Sequence, residues 1–380
     1  MINKEQSNQQ QFFELVRAGL WEGYNAKVVT HIDPVDCFAV YRLAEEQSVV
    51  GLVAAGIDTL LASERPPQEV VLRFVGSTLQ LEQWNKAMNA FIAELIQKLR
   101  ANDIFALLVK GQGIAQCYEK PLWRACGDVD LLLSSDDYER GKALLLPLAS
   151  DVETEYSHFK HLGMTINGWV VELHGTLHSR LSKRVDNMVD EVQGEVFPGG
   201  KVRTWMNGRN QVFLPNPDCD VIFVFTHILH HFFFEGIGLR QICDWCRLLW
   251  TYKDALNHGL LESRLRKAGI MSEWKAFAAF AVKYLGMPIE AMPLYDDNDK
   301  HNEKLQKKAD GICKFVMEAG NFWRNSRRDF TGMSYMRRKF VSFWGRLSDM
   351  LRHFRLFPVD SVLFFGGVLR SGLHAAVRGE

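Results

Sequence analysis

Val109-Lys110-Gly111-Gln112-Gly113, then Arg124 after a helix-length segment, then Gly127-Asp128-Val129-Asp130-Leu131-Leu132-Leu133: this stretch decides how the chain is read. Two carboxylates at i and i+2 stand in an apolar run of strand type. Alternate side chains leave a strand by the same face, so Asp128 and Asp130 project together while Val129 and Leu131 turn into packing. Like charges held side by side repel, and burying either without a partner is costly, so a cation is expected between them. Mg²⁺, or Mn²⁺ in its place, suits such a pair, because it takes hard oxygen ligands and completes its shell with water and substrate phosphates. Zn²⁺ suits it poorly, since no Cys or His lies at ligand spacing beside the pair.

Upstream, Ile104–Lys110 has the composition of a short strand, and Gly111-Gln112-Gly113 interrupts it before the helix-like Ile114–Tyr118. A glycine turn that opens a helix presents backbone N–H groups able to cradle phosphate oxygens. Lys110 and Arg124 would add positive charge there. The turn is not a P-loop, for Gly-Lys-Ser/Thr is missing, and the dinucleotide-binding spacing fails at Gln116. Order gives the pattern its weight: strand, glycine turn, helix, basic residue, acidic strand.

A two-metal displacement at phosphorus calls for a third carboxylate. Glu172 is the candidate, a single acid inside the apolar run Gly168-Trp169-Val170-Val171-Glu172-Leu173-His174. A solvent-facing Glu on a half-exposed strand is the plainer alternative. His174 shares the face of Glu172 by period two, either as a substrate contact or as an ordinary strand-end His.

These residues resemble the nucleotidyltransferase superfamily of the DNA polymerase β type, in particular a bacterial group with a Lys-Gly turn, a following Arg and Gly-Asp-x-Asp. The resemblance implies an α+β fold, with a small mixed β-sheet core flanked by helical regions. It further implies Mg²⁺ held by Asp128 and Asp130, Glu172 as the third acid, and the triphosphate of an NTP at Gly111 to Gly113. Lys110, Gln112 and Arg124 would complete the nucleotide site, and the acceptor would be a hydroxyl of a small molecule, sugar or protein. The chain departs from the superfamily in placing Gln112 after Gly111, where Gly or Ser is usual, and in a longer spacing to Asp128. That departure motivates an alternative, a catalytically silent nucleotide-binding or partner-binding regulator.

Composition is compatible with an enzyme. The 380 residues are 47% hydrophobic, enough for a sizeable core, and 45 Lys+Arg balance 45 Asp+Glu. Without a global basic field, long nucleic acid is disfavoured as a partner. Seven Cys without repeated spacing point to a reducing compartment. Cys243 and Cys246 read as small buried apolar residues. No apolar segment follows a basic start, so a secretory signal is not expected, and Val221–Phe234 is too short to span a bilayer. A cytoplasmic protein is expected.

Three regions are read: helical 1–100, broken at Ala62–Glu69; a nucleotidyltransferase-like core at 101–214; and helical 215–380. Lys201–Met206 and Gln211–Leu214 read as β-runs that extend or edge the sheet, and Asp218 as a helix N-cap. His227, His230 and His231 share one helix face, a spacing that suits a transition metal, core packing, or a cleft where His227 or Arg240 meets substrate. The C-terminal basic and aromatic residues, including Trp323–Arg328 and Met336–Lys339, fit either an amphipathic helix on the bundle or a peripheral contact with a membrane, RNA or partner, and the apolar Ser361–Leu373 reads as a docking or surface-anchoring element too short to span. A surface-associated assembly protein is the third functional hypothesis.

Overall fold

Leu99, Ile96, Leu95, Ile92, Phe91 and Met88 repeat every three or four residues along one helix and are buried as a stripe. In the computed structural model, which describes residues 4–28, 35–155, 160–197, 200, 202–298, 302–320, 351, 353–364 and 366, that stripe closes one face of a β-sheet. The fold is α+β. Helices α1 (Lys4–Leu20), α2 (Cys37–Glu46), α3 (Val50–Asp58) and the 33-residue α4 (Gln68–Arg100) lead into the strands. Asp36 caps α2 through its carboxylate, which accepts from the backbone N–H groups of Phe38 and Ala39.

The sheet comprises β1 (Ala106–Val109), β2 (Asp128–Leu133), β3 (Ala149–Val152), β4 (His161–Ile166) and β5 (Trp169–His174), in the order β1-β2-β5-β4-β3. It is mixed: β2 and β5 run parallel, and the other neighbours antiparallel. Between β1 and β2 lies the short α5 (Gly111–Ala115), and after β2 comes α6 (Ser135–Leu145), capped by Ser134. Strand alternation sorts the sheet into two faces. Val129, Leu131, Leu133, Leu162, Met164, Val171 and Leu173 join the core with α4 and with Tyr138 and Leu145 of α6.

Past α7 (Lys183–Gly194), β6 (Val202–Asn207) and β7 (Asn210–Pro215) pair in a hairpin of their own. They therefore do not extend the five-stranded sheet, as their composition had suggested. Val212 and Leu214 nonetheless reach its core, so the hairpin packs on the sheet through side chains instead of lengthening it through backbone pairing. Helix α8 (Pro217–Phe234) opens with Asn216 as its side-chain cap, accepting from Cys219 N, while Asp218 sits in the first turn. Pro217 explains the shift of two positions: it is preformed for the first helical position and leaves the residue before it to cap. Then follow α9 (Leu239–Thr251), α10 (His258–Ala268), α11 (Met271–Leu285) and α12 (Asn302–Ala319).

The chain divides into two compact units. The first comprises Met1–Leu177, Asp190–Val221 and Cys243–Leu256, and the second His178–Val189, Ile222–Ile242 and Asn257–Glu380. Aromatic side chains build the second: Phe225 meets Trp274 edge-on at 4.8 Å, and Phe232 meets Phe277 at 5.3 Å and Phe315 at 4.8 Å. Among the described residues, no helix is long and apolar enough to cross a membrane. The basic stretches Trp323–Arg328 and Met336–Lys339 lie outside the described residues, as does most of Ser361–Leu373. Cys243 and Cys246 are buried free thiols, in keeping with their apolar reading.

One carboxyl in the second unit is buried at a cost. Glu273 of α11 is 0% exposed, its Oε1 lacks a hydrogen-bond partner among the described residues, and its Oε2 accepts from Ser272 Oγ. Burial, reinforced by the neighbouring Asp360, pushes its pKa well above 4.5. The folded state therefore holds a proton that the unfolded chain releases, and stability falls as pH rises from about 4.5 through the folded value. Glu273→Gln is expected to stabilise the protein by about 1–3 kcal/mol at pH 8, an advantage that vanishes near pH 4, as read by urea unfolding at both values.

Candidate functional site

The acids come from the sheet face that the core does not use. Val129 and Leu131 belong to the core, so Asp128 and Asp130 leave β2 on the other side, and on β5 Val171 and Leu173 leave Glu172 and His174 to that same side. The parallel register then sets Asp130 directly opposite Glu172, with Asp128 two residues upstream opposite Val170. Across β5, the antiparallel partner β4 aligns His161 with His174 and Gly163 with Glu172. Gly163 adds no side chain beside Glu172. A Cβ built there would lie 2.6 Å from Glu153 Oε2, so the missing side chain is what lets that carboxylate approach.

Asp130 is 2% exposed, and its charge is matched. Lys110 Nζ lies 2.7 Å from Asp130 Oδ1, and His174 Nε2 lies 2.9 Å from the same oxygen. The cation expected between the acids is thus in part the chain's own ammonium. Lys110 reaches it from an unusual backbone, φ 56° and ψ −146°, a conformation that costs a non-glycine residue about 1–3 kcal/mol. Burial would lower the Lys110 pKa, yet the carboxylates of Asp130, Glu172 and Asp128 more than reverse this and raise it.

Glu172 Oε2 sits 3.3 Å from His161 Nε2 and 3.4 Å from His174 Nε2. Burial would raise its pKa, but the two imidazoles and the Lys110 charge hold the carboxyl well below the usual carboxylate range. His174 shifts the other way. Burial opposes its protonation, and Asp130 and Glu172 overcome that, so the imidazolium persists above its ordinary pKa. The face is a dense lattice of alternating charge.

The glycine turn stands next to these acids. Gly111 has φ 42°, and a side chain there would lie 3.2 Å from Cys126 Sγ and 3.5 Å from the Asp128 carbonyl oxygen. Gly113 faces Leu214, whose Cδ2 would be 2.9 Å from an added Cβ. Both glycines therefore serve close packing, whatever else the turn does. Gln112 is 1% exposed and donates from Nε2 to Asn85 Oδ1 at 2.6 Å. Asn85 in turn donates to the carbonyls of Leu122 and Arg124, and Trp84 Nε1 donates to that of Cys126. Through these bonds α4 fixes the loop that delivers Asp128.

Arg124 is not placed on the acidic pair. It is 6% exposed and forks Asp244, with Nε at 3.0 Å from Oδ1 and Nη2 at 2.6 Å from Oδ2, while Tyr118 Oη donates to the same carboxylate at 2.7 Å. The side chains of Gln112 and Arg124 are held by the framework here. His227 and Arg240 belong to the second unit. His227 Nε2 is 3.0 Å from His231 Nε2, and His230 bonds the Ser179 carbonyl and Glu235. Among the described residues, the group that brings three metal-ligating side chains together is His161, Glu172 and His174, not the histidine helix.

Sequence reading missed His161 and Glu153. The signal for His161 was the alternation of Leu162, Met164 and Ile166 before Asn167-Gly168, a two-residue hairpin that pairs His161 with His174; Glu153 has no such signal. The statement that no His lies at ligand spacing beside the pair holds along the chain and fails in space, because β5 brings His174 within 2.9 Å of Asp130.

A family model described as an uncharacterised nucleotidyltransferase matches residues 33–286, which is more than half of the chain and includes every strand. Neither the curated proteins nor the solved structures yield a match. On the breadth of that match, the chain belongs to this nucleotidyltransferase family and is a transferase.

Proposed function

We propose that this protein transfers a nucleoside monophosphate from an NTP to a hydroxyl group of a small-molecule, sugar or protein acceptor, at the face carrying Asp128, Asp130 and Glu172. One observation carries the reading: the parallel register that puts three carboxylates on one side of two adjacent strands. The donor set fits a divalent cation, since three carboxylates offer hard oxygen ligands and Lys110 answers only one of their charges. Mg²⁺ or Mn²⁺ held by Asp128, Asp130 and Glu172 would neutralise the phosphates and acidify the acceptor hydroxyl.

The chain's own groups do the rest. Lys110, with its raised pKa, stays charged and steadies the oxygens of the polyphosphate. The turn at Gly111, Gln112 and Gly113 contributes backbone instead of side chain, and Arg124 holds the loop before Asp128. The acceptor oxygen bonds to the α-phosphorus as the bond to the bridging oxygen breaks, the hydroxyl proton passes to solvent water, and pyrophosphate leaves. Glu172 is kept ionised by His161 and His174, which makes it a charge partner and a poor base. Rate enhancement then comes mostly from positioning and charge.

A second reading, nucleotide binding without turnover, is favoured by the buried Gln112 in the turn. Incubating the protein with each of the four NTPs and Mg²⁺ or Mn²⁺, while following pyrophosphate release and self-labelling by mass, tests both. Pyrophosphate from at least one NTP supports transfer. Saturable binding with no release supports the second reading, and no binding of any NTP removes both.

A further inference from the structure

Two imidazoles and a carboxylate meet beside the acidic pair, and the proposed transfer needs only the carboxylate. His161 and His174 are register partners on β4 and β5, so their rings rise from the same face and stack with centroids 4.8 Å apart at 24°. Both Nε2 atoms turn to one oxygen, Glu172 Oε2, at 3.3 and 3.4 Å, and the three ligand atoms all lie within 4.8 Å of one another. These separations are long for N–H···O hydrogen bonds, whose usual distance is about 2.9–3.0 Å. They suit coordination better. Two ligands each about 2.0–2.1 Å from a tetrahedral ion stand about 3.3–3.4 Å apart.

Donor chemistry points the same way. Two imidazole nitrogens with one carboxylate oxygen form a borderline set that prefers Zn²⁺ or Co²⁺ to Mg²⁺, which favours oxygen ligands and retains its waters. His174 Nε2 also lies 2.9 Å from Asp130 Oδ1, so loading the site exchanges that hydrogen bond for a metal–nitrogen bond, and the Asp130 carboxylate beside it compensates the added positive charge. Gly163, opposite Glu172, lets the Glu153 carboxylate approach that flank of the group.

We propose that His161, Glu172 and His174 form a transition-metal site that binds Zn²⁺ from the protein alone, without nucleotide. It goes beyond the transfer reading and shares Glu172 with it as a ligand, with Asp130 beside His174. With the site loaded, Glu172 is fixed in place, and Asp128 and Asp130 face the nucleotide.

The test is a titration of the metal-stripped full-length chain with Co²⁺, read by its visible absorption, and with Zn²⁺, read calorimetrically, both without NTP. One equivalent should bind, with a tetrahedral Co²⁺ band that a hundredfold excess of Mg²⁺ leaves in place. His161→Ala, at a half-exposed position, should weaken both metals by about 100-fold, and His161→Gln serves as a second variant should the first unfold. Asp128→Asn should keep the Co²⁺ band, whatever becomes of NTP turnover, so failure of the transfer reading and failure of this site are distinguishable. Absence of saturable binding to the wild-type chain, or equal affinity in a folded His161 variant, would overturn the site and leave a hydrogen-bonded brace around Glu172.

Discussion

Asp128→Asn is expected to lower nucleotidyl transfer by about 10³-fold, the scale on which loss of one preorganised charge at a reacting phosphate is felt, while the unfolding midpoint stays near that of the wild type. Asn has nearly the shape of Asp, and position 128 opens its strand half-buried, so packing survives and charge alone is lost. Asp130→Asn should be as inactive but also less stable. It removes the partner of the buried Lys110 ammonium and weakens the hold on His174. The pair of variants thus separates two roles for adjacent carboxylates. Pyrophosphate release and urea unfolding, measured on both, check this. Undiminished turnover in either variant would remove the acids from the reaction.

The second large effect is expected away from the acids. Arg124→Ala should cost about 3–5 kcal/mol, because it strands Asp244 inside the first unit with Tyr118 as its remaining donor among the bonds described here. The pair is bidentate and buried, so Arg124→Lys should recover only part of the loss: an ammonium cannot fork a carboxylate. The double variant Arg124→Ala with Asp244→Ala should be more stable than the sum of the single losses predicts, since neither charge is then left alone. Urea unfolding of the four proteins measures this directly. An Arg124 variant of wild-type stability that binds NTP poorly would return this residue to the nucleotide.

The acids were legible in the sequence because strand geometry is local. Asp128, Val129 and Asp130 alternate within three residues, and so do Glu172, Leu173 and His174, and no distant partner is needed to say which face each takes. What such spacing does not contain is pairing. His161 reaches the site through the β4–β5 register, whose signal is the alternation of Leu162, Met164 and Ile166 before the Asn167-Gly168 turn, a hairpin pattern separate from the spacing of the acids. Arg124 looked like a phosphate ligand until a carboxylate 120 positions along the chain claimed it, and Gln112 until Asn85 did. The hairpin Val202–Pro215 has the composition of strands, but composition does not say to which sheet a strand belongs. Asn216 and Asp218 are equally good caps by type, and Pro217 between them decides.

The register of β2 against β5 has a further meaning for how this chain can change over time. A shift of either strand by one residue would carry aspartates or Glu172 into hydrocarbon and turn Val129 or Val171 outward, so that the reactive surface and the interior would be ruined together. Misaligned forms of the polypeptide therefore fail as folded objects before they can persist as inert ones. Loss of chemistry by drift must come one side chain at a time.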